Sequence, residues 1–212
     1  MSTKIKSLQE ILQSFIAELK NTSWPEFIAA IAGIISVIFS RKENILVFPV
    51  GIISTVIYSY LYLTHGLYAD SSVNFYYTVM SIIGWFMWTR KKNNAVSLAI
   101  TRSNKKDWQQ TILFFAVCWI ILFMLLKNFT DSTVPQADAF TSAAALAGMW
   151  LMNKKKLENW VWWIITDIVS IPLNFYKHLA FTSFQYMVFL ILATMGYITW
   201  REKIKSQKTT VS

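Results

Sequence analysis

The chain spells one long apolar pattern twice, and that repetition confines it to folds in which two matching groups of membrane helices lie side by side. Arg41-Lys42-Glu43-Asn44 opens a hydrophobic run that closes on Gly84-Trp85-Phe86-Met87-Trp88. Lys155-Lys156-Leu157-Glu158-Asn159 opens a second, which closes on Gly196-Tyr197-Ile198-Thr199-Trp200. Each copy crosses two apolar segments separated by a short polar break and ends on a Gly-aromatic-x-x-Trp step followed by more basic residues. Many transporters enclose one central binding site between two such units.

Scanning for runs of about 17 to 25 mainly apolar residues yields seven segments, at 26–39, 45–63, 71–88, 108–126, 137–152, 160–176 and 183–200. The first and fifth are short and extend into their flanks. With 55% hydrophobic and 15% charged residues, against about 45 to 50% and 25% in soluble domains, the expected solvent is lipid. The fold class is therefore an all-α integral membrane protein with seven transmembrane helices. Ahead of them, Ile5, Leu8, Ile11, Leu12, Phe15, Ile16 and Leu19 recur at helical steps between Lys and Glu. Residues 1–23 read as an amphipathic interfacial helix and not as a signal peptide, since an unbroken apolar core and a small-residue cleavage site are both lacking. Ser23, Pro25 and Glu26 mark a helix start: a capping hydroxyl, a proline in the first turn and an acid at the positive end.

Charge sets the expected orientation. When segment ends alternate between two sides, one side collects Arg41, Lys42, Arg90, Lys91, Lys92, Arg102, Lys105, Lys106, Lys154, Lys155, Lys156, Arg201, Lys203, Lys205 and Lys208, fifteen of the twenty Lys and Arg. By the positive-inside rule that side is cytoplasmic, which puts the N-terminus outside and the C-terminus inside. The basic charge thus needs no nucleic acid as partner; the lipid bilayer accounts for it. Seven segments divide into a three-helix repeat at 24–88, a basic cytoplasmic loop and connecting helix at 89–136, a second three-helix repeat at 137–200 and a basic tail at 201–212. The lone fourth segment restores the starting side, so the repeats are parallel.

Polar residues inside these segments are the candidates for chemistry. Asp167 stands mid-segment among Ile164, Ile165, Ile168 and Val169. An ionised carboxylate at that depth costs about 2.5 to 3.5 kcal/mol on insertion scales, so it must face a cavity or a partner. No intramembrane Lys or Arg is available, which leaves a cationic ligand, a proton or an internal hydrogen-bond network to stabilise it. Trp160, Trp163, Asp167, Ser170 and Asn174 form one stripe on the sixth segment; Asn74, Thr78, Ser81, Trp85 and Trp88 form another on the third, and Gln185 takes roughly the place of Asn74 in the second repeat. Trp88, Trp160 and Trp200 fit an interfacial aromatic belt better than a ligand role. Thr78, Ser81 and Ser170 stand evenly between helix glue and ligand contact. Pro49 and Pro172 are flex-point or static-kink positions. Cys118 has no partner cysteine. A phosphate loop, a metal-ligand cluster and a nucleophile constellation are all missing from the sequence, so no cofactor, no metal and no enzymatic activity are expected.

Lys42-Glu43-Asn44, Phe48-Pro49-Val50-Gly51-Ile52-Ile53-Ser54, Gly66-Leu67-Tyr68, Asp138-Ala139-Phe140 and Glu158-Asn159-Trp160-Val161-Trp162-Trp163, with Gly84, Trp88, Gly196 and Trp200, resemble the Pnu family of bacterial vitamin transporters, most of all its nicotinamide riboside members. The resemblance spans 25–201. It implies a SWEET-like bundle of two repeats and a connecting helix, a homotrimer in the bacterial inner membrane, and uptake by facilitated diffusion with a cytoplasmic kinase trapping the vitamin as a phosphate. Asp167 departs from the family pattern, which often has Asn there. Nicotinamide riboside is a pyridinium cation with a hydroxyl-rich ribose. The expected substrate contacts are Trp163 and Asp167 on the ring and Asn74, Asn174 and Gln185 on polar edges. Thiamine, also a flat cation, is the alternative substrate; a proton-coupled transporter and a non-transporting membrane subunit are the rival classes.

Overall fold

A computed structural model describes residues 12–13, 15–92, 95–96 and 98–209. Seven long helices follow in order: α1 Trp24–Arg41, α2 Val47–Thr64, α3 Tyr68–Thr89, α4 Lys105–Phe129, α5 Pro135–Asn153, α6 Asn159–Tyr176 and α7 Ala180–Thr209. Residues 15–21 are helical as well. Ile5, Leu8 and Ile11 of the expected amphipathic helix lie outside the described residues; Leu12, Ile16 and Leu19 are exposed, as a lipid-facing stripe would be.

Helix starts follow local chemistry. The Ser23 hydroxyl accepts from the Glu26 amide at 3.4 Å, with Pro25 in the first turn of α1. At α4, Asn104 Oδ1 accepts from the Asp107 amide at 2.8 Å while Asp107 Oδ2 accepts from the Asn104 amide at 3.0 Å, a reciprocal capping box. Four helices, α1, α2, α4 and α7, are long and apolar enough to cross a membrane. The other three are more polar because they turn polar or small residues inward: α5 alone buries Ala139, Thr141, Ala143, Ala144, Ala147 and Gly148. By contrast α4 buries only Thr111 and Leu126, which fits an outlying connector.

Contacts recur at a spacing of 112 residues. The pairings α1–α2, α2–α3 and α3–α5 have counterparts in α5–α6, α6–α7 and α7–α1. Trp88 donates its indole N–H to the Asn153 carbonyl at 3.3 Å, and Trp200 donates to the Ser40 and Arg41 carbonyls at 3.2 Å. Phe48 meets Trp88 edge-on at 5.1 Å, just as Trp160 meets Trp200 at 5.5 Å. The backbone repeats too: Glu43 and Lys155 have φ of 60° and 49°, Gly66 and His178 of 75° and 60°.

Some equivalent residues touch one another, and together they seal one end of the bundle, the end carrying the basic turns. The rings of Trp88 and Trp200 lie 6.2 Å apart. Lys155 Nζ sits 2.6 Å from Glu43 Oε1 and 4.5 Å from the centre of the Trp88 ring, while Lys203 reaches Glu43 Oε2 at 3.1 Å. Burial works against the charge on Glu43, but the hydrogen bonds and charges of Lys155 and Lys203 outweigh it and hold the carboxyl below its ordinary range.

Two expectations need correction. Trp88, Trp160 and Trp200 do not form an interfacial belt: all are buried, because the turn carbonyls of the opposite half satisfy two of the three indoles inside the bundle. Pro49 lies in the first turn of α2, where a missing N–H disturbs nothing, so only Pro172 interrupts a helix interior. The basic loop after α3 has structure of its own. It forms a short antiparallel hairpin, β1 Lys91–Lys92 with β2 Ala95–Val96, then docks on the α5–α6 turn: Thr101 N donates to Lys155 O at 3.1 Å, Leu157 N to Thr101 O at 2.9 Å and Ser103 N to Glu158 Oε2 at 2.6 Å.

Candidate functional site

Above the seal lies a cavity of about 340 Å³ walled by α1, α2, α3, α5, α6 and α7, with Trp160 among its lining residues. α4 contributes nothing to it. Hydroxyls line much of the wall, from Ser36, Ser54, Thr55, Ser81, Thr141, Ser142, Thr166 and Thr182. Tyr58, Tyr62, Tyr77, Tyr186 and Trp163 add aromatic surface. Two carboxylates, Asp70 and Asp167, line it together with no Lys, Arg or His.

Of the five residues singled out in the sequence, four meet here: Asn74, Trp163, Asp167 and Gln185. Asp167 is 3% exposed, and no hydrogen bond or ion pair reaches its carboxylate from the described residues. A buried, unpartnered carboxylate opening on a cavity is a strong acceptor for a cation. Trp163 is held in place from two sides. Its indole lies over Gly148, where an added Cβ would come within 3.1 Å of the ring, and its centroid is 6.3 Å from that of Tyr77. Asn74 Nδ2 donates to the Asp70 carbonyl at 2.9 Å, and Gln185 lies beside the Tyr58 hydroxyl.

Asn174 is not part of the cavity wall; its Nδ2 donates one turn back to the Ser170 carbonyl at 2.8 Å. By the 112-residue spacing the counterpart of Asn74 is Tyr186, one residue beyond Gln185. Thr78 shares a 2.8 Å hydrogen bond with Thr55, a helix-to-helix contact, whereas Ser81 reaches the cavity. Reading the α3 stripe through Asn74, Thr78 and Ser81 passed one residue from Tyr77. The tyrosines carried a usable signal in Tyr58 and Tyr62, one helical turn apart and stacked at 5.7 Å.

The Glu-Asn-Trp-x-x-Trp element divides its labour along one helix start. Glu158 anchors the loop after α3, Asn159 closes the turn by donating to the Lys156 carbonyl at 2.6 Å, Trp160 packs on Trp200, and Trp163 faces the cavity.

A family model for nicotinamide mononucleotide transporters matches residues 23–202. The chain belongs to this family. It is 22% identical over 191 residues to the riboflavin/roseoflavin transporter RibM of Streptomyces davaonensis, an alignment covering 89% of each chain. It is 26% identical over 208 residues to the nicotinamide riboside transporter PnuC of Neisseria mucosa, covering 92% of this chain and 78% of that one. With PnuC of Haemophilus influenzae it shares 26% over 189 residues, covering 86% and 81%. A crystal structure of the vitamin B3 transporter PnuC shares the fold, with a TM-score of 0.69 at 23% identity, over 94% of this chain and 90% of that one. This member of the nicotinamide mononucleotide transporter family is thus a multi-pass bacterial membrane transporter and not an enzyme.

Proposed function

We propose that this transporter takes up nicotinamide riboside by facilitated diffusion, with phosphorylation by a cytoplasmic kinase as the trap. The observation that carries this reading is the cavity's charge: a buried Asp167 without a counter-charge, an indole braced beside it, and no basic side chain in the wall. A pyridinium ring answers the carboxylate and the Trp163 face, while ribose hydroxyls answer Asn74, Gln185 and the Ser and Thr groups. The same charge pattern disfavours a phosphate, since two carboxylates and no cation would face it. A phosphorylated product would then be unable to leave by the route its precursor entered, which is what a trap requires. Riboflavin, the substrate named for RibM, has a neutral ring and offers Asp167 hydrogen bonds but no positive charge. Thiamine carries one, and stays the alternative.

The architecture supporting this function is two like-oriented three-helix repeats, 24–88 and 137–200, joined by a connecting helix, all seven helices crossing the membrane. Equivalent residues of the two halves, Trp88 with Trp200 and Glu43 with Lys155, meet at one end of the bundle, which supports it. The basic end is cytoplasmic by its charge, so the sealed end faces inward and the cavity is reached from outside. The homotrimer, the inner-membrane location and the kinase rest on the family resemblance.

Uptake by proteoliposomes tests the function. Radiolabelled nicotinamide riboside, with no ion gradient imposed, is expected to equilibrate into vesicles containing the protein, with unlabelled thiamine competing better than riboflavin. No uptake would end the proposal, and accumulation only under a pH gradient would replace it with a proton-coupled mechanism.

A further inference from the structure

We propose that Glu18 is a positioning residue for the substrate cavity, acting as a remote cap that fixes the far end of α7. This inference rests on reading the cavity as the substrate site. The first turn of α7 contains no acidic residue. In α3, at the equivalent place in the repeat, the first turn carries Asp70; the residue 112 positions on is Thr182, which lines the cavity. A helix start needs acceptors for its free amides, and here they come from 162 residues away. Glu18 Oε1 accepts from the Ala180 amide at 2.6 Å and Glu18 Oε2 from the Phe181 amide at 3.2 Å. A carboxylate bonded to two amides at the positive end of a helix is among the stronger caps.

The contact is reinforced and anchored. Phe15, one turn before Glu18, packs on Phe181 at 5.6 Å and on Phe184 at 5.7 Å between ring centroids. The helical segment bearing both residues joins α1 through Thr22 and Ser23 alone. It therefore ties the start of α7, in one half of the bundle, to the start of α1, in the other. Thr182, Gln185 and Tyr186 follow within two turns and form part of the cavity wall. Their depth and rotation depend on where α7 begins, and Glu18 sets that.

Uptake kinetics of Glu18→Ala, Glu18→Gln and Phe15→Ala, paired with hydrogen exchange at residues 180–183, test the proposal. Glu18→Ala is expected to raise KM for nicotinamide riboside about tenfold with Vmax nearly unchanged and faster exchange at the α7 start. Glu18→Gln, which keeps one acceptor oxygen, is expected to recover much of the loss, and Phe15→Ala to raise KM in the same direction. Wild-type uptake with KM unchanged in both the Glu18→Ala and Phe15→Ala proteins would overturn the proposal while leaving the transport reading intact. Absence of uptake by the wild type itself would instead remove that reading and this inference with it. If Glu18→Ala fails to fold, the Phe15→Ala and Glu18→Gln kinetics decide alone.

Discussion

Replacing Asp167 by asparagine is expected to weaken nicotinamide riboside binding by about 30-fold or more. The substitution keeps size and shape, so the wall stays packed while the charge goes. Truncating one partner of a desolvated charge pair costs roughly 2 to 5 kcal/mol, and 2 kcal/mol is already about 30-fold in Kd. Nothing in the wall compensates, because Asp70, the other carboxylate of the lining, stands one turn or less from the start of α3 and not mid-helix. The charge also predicts selectivity. A reduced, uncharged dihydropyridine form of the vitamin is expected to bind the wild type weakly and to lose little on the substitution. Calorimetry on detergent-solubilised protein reads both numbers, and equal affinity of wild type and Asp167→Asn for the cation would remove Asp167 from the site.

The second large effect is structural. Gly84→Ala is expected to destabilise the fold by roughly 2 kcal/mol and to lower Tm by about 4 to 8 °C. A Cβ at position 84 would lie 2.3 Å from a Phe48 ring carbon and 2.4 Å from Asn153 Oδ1. Both neighbours are committed: Phe48 is packed edge-on against Trp88, and Asn153 donates to the Met80 carbonyl at 2.7 Å. Overpacking of this kind costs up to about 3 kcal/mol, offset by about 1 kcal/mol of helix propensity regained from glycine. Gly196→Ala should act in the same direction, its Cβ falling 2.6 Å from two Trp160 ring atoms. Gly33→Ala is the control, because its nearest neighbour, Ser54 Oγ, lies at 3.3 Å. Thermal unfolding of the three proteins checks the order; equal Tm for all would contradict the packing.

Much of this was legible before any coordinates. Gly84 and Gly196 stand at matched places because each gives room to an aromatic ring of its own half, Phe48 in one and Trp160 in the other, so the constraint writes itself twice. Asp167 was legible for a different reason: a carboxylate among isoleucines has few physical outcomes. The misses share a cause. Whether Trp88 and Trp200 lie in an interface or a seal depends on carbonyls more than sixty residues away, at Asn153, Ser40 and Arg41, which no local pattern reveals. Asn174 continues the Asp167 stripe, yet it bonds to its own helix instead of lining the cavity. Tyr77 escaped because a helical stripe has width, and the polar residues drew the line one position aside. Glu18 looked like part of an amphipathic surface; only the folded chain brings it to Ala180 and Phe181.

A structure of the protein with nicotinamide riboside bound would test the central claim most directly. The account predicts density for the vitamin within the cavity, its pyridinium ring against the Trp163 indole and within about 4 Å of the Asp167 carboxylate. A ligand lodged elsewhere at saturating concentration, or an Asp167 side chain turned outward to hydrocarbon, would contradict it.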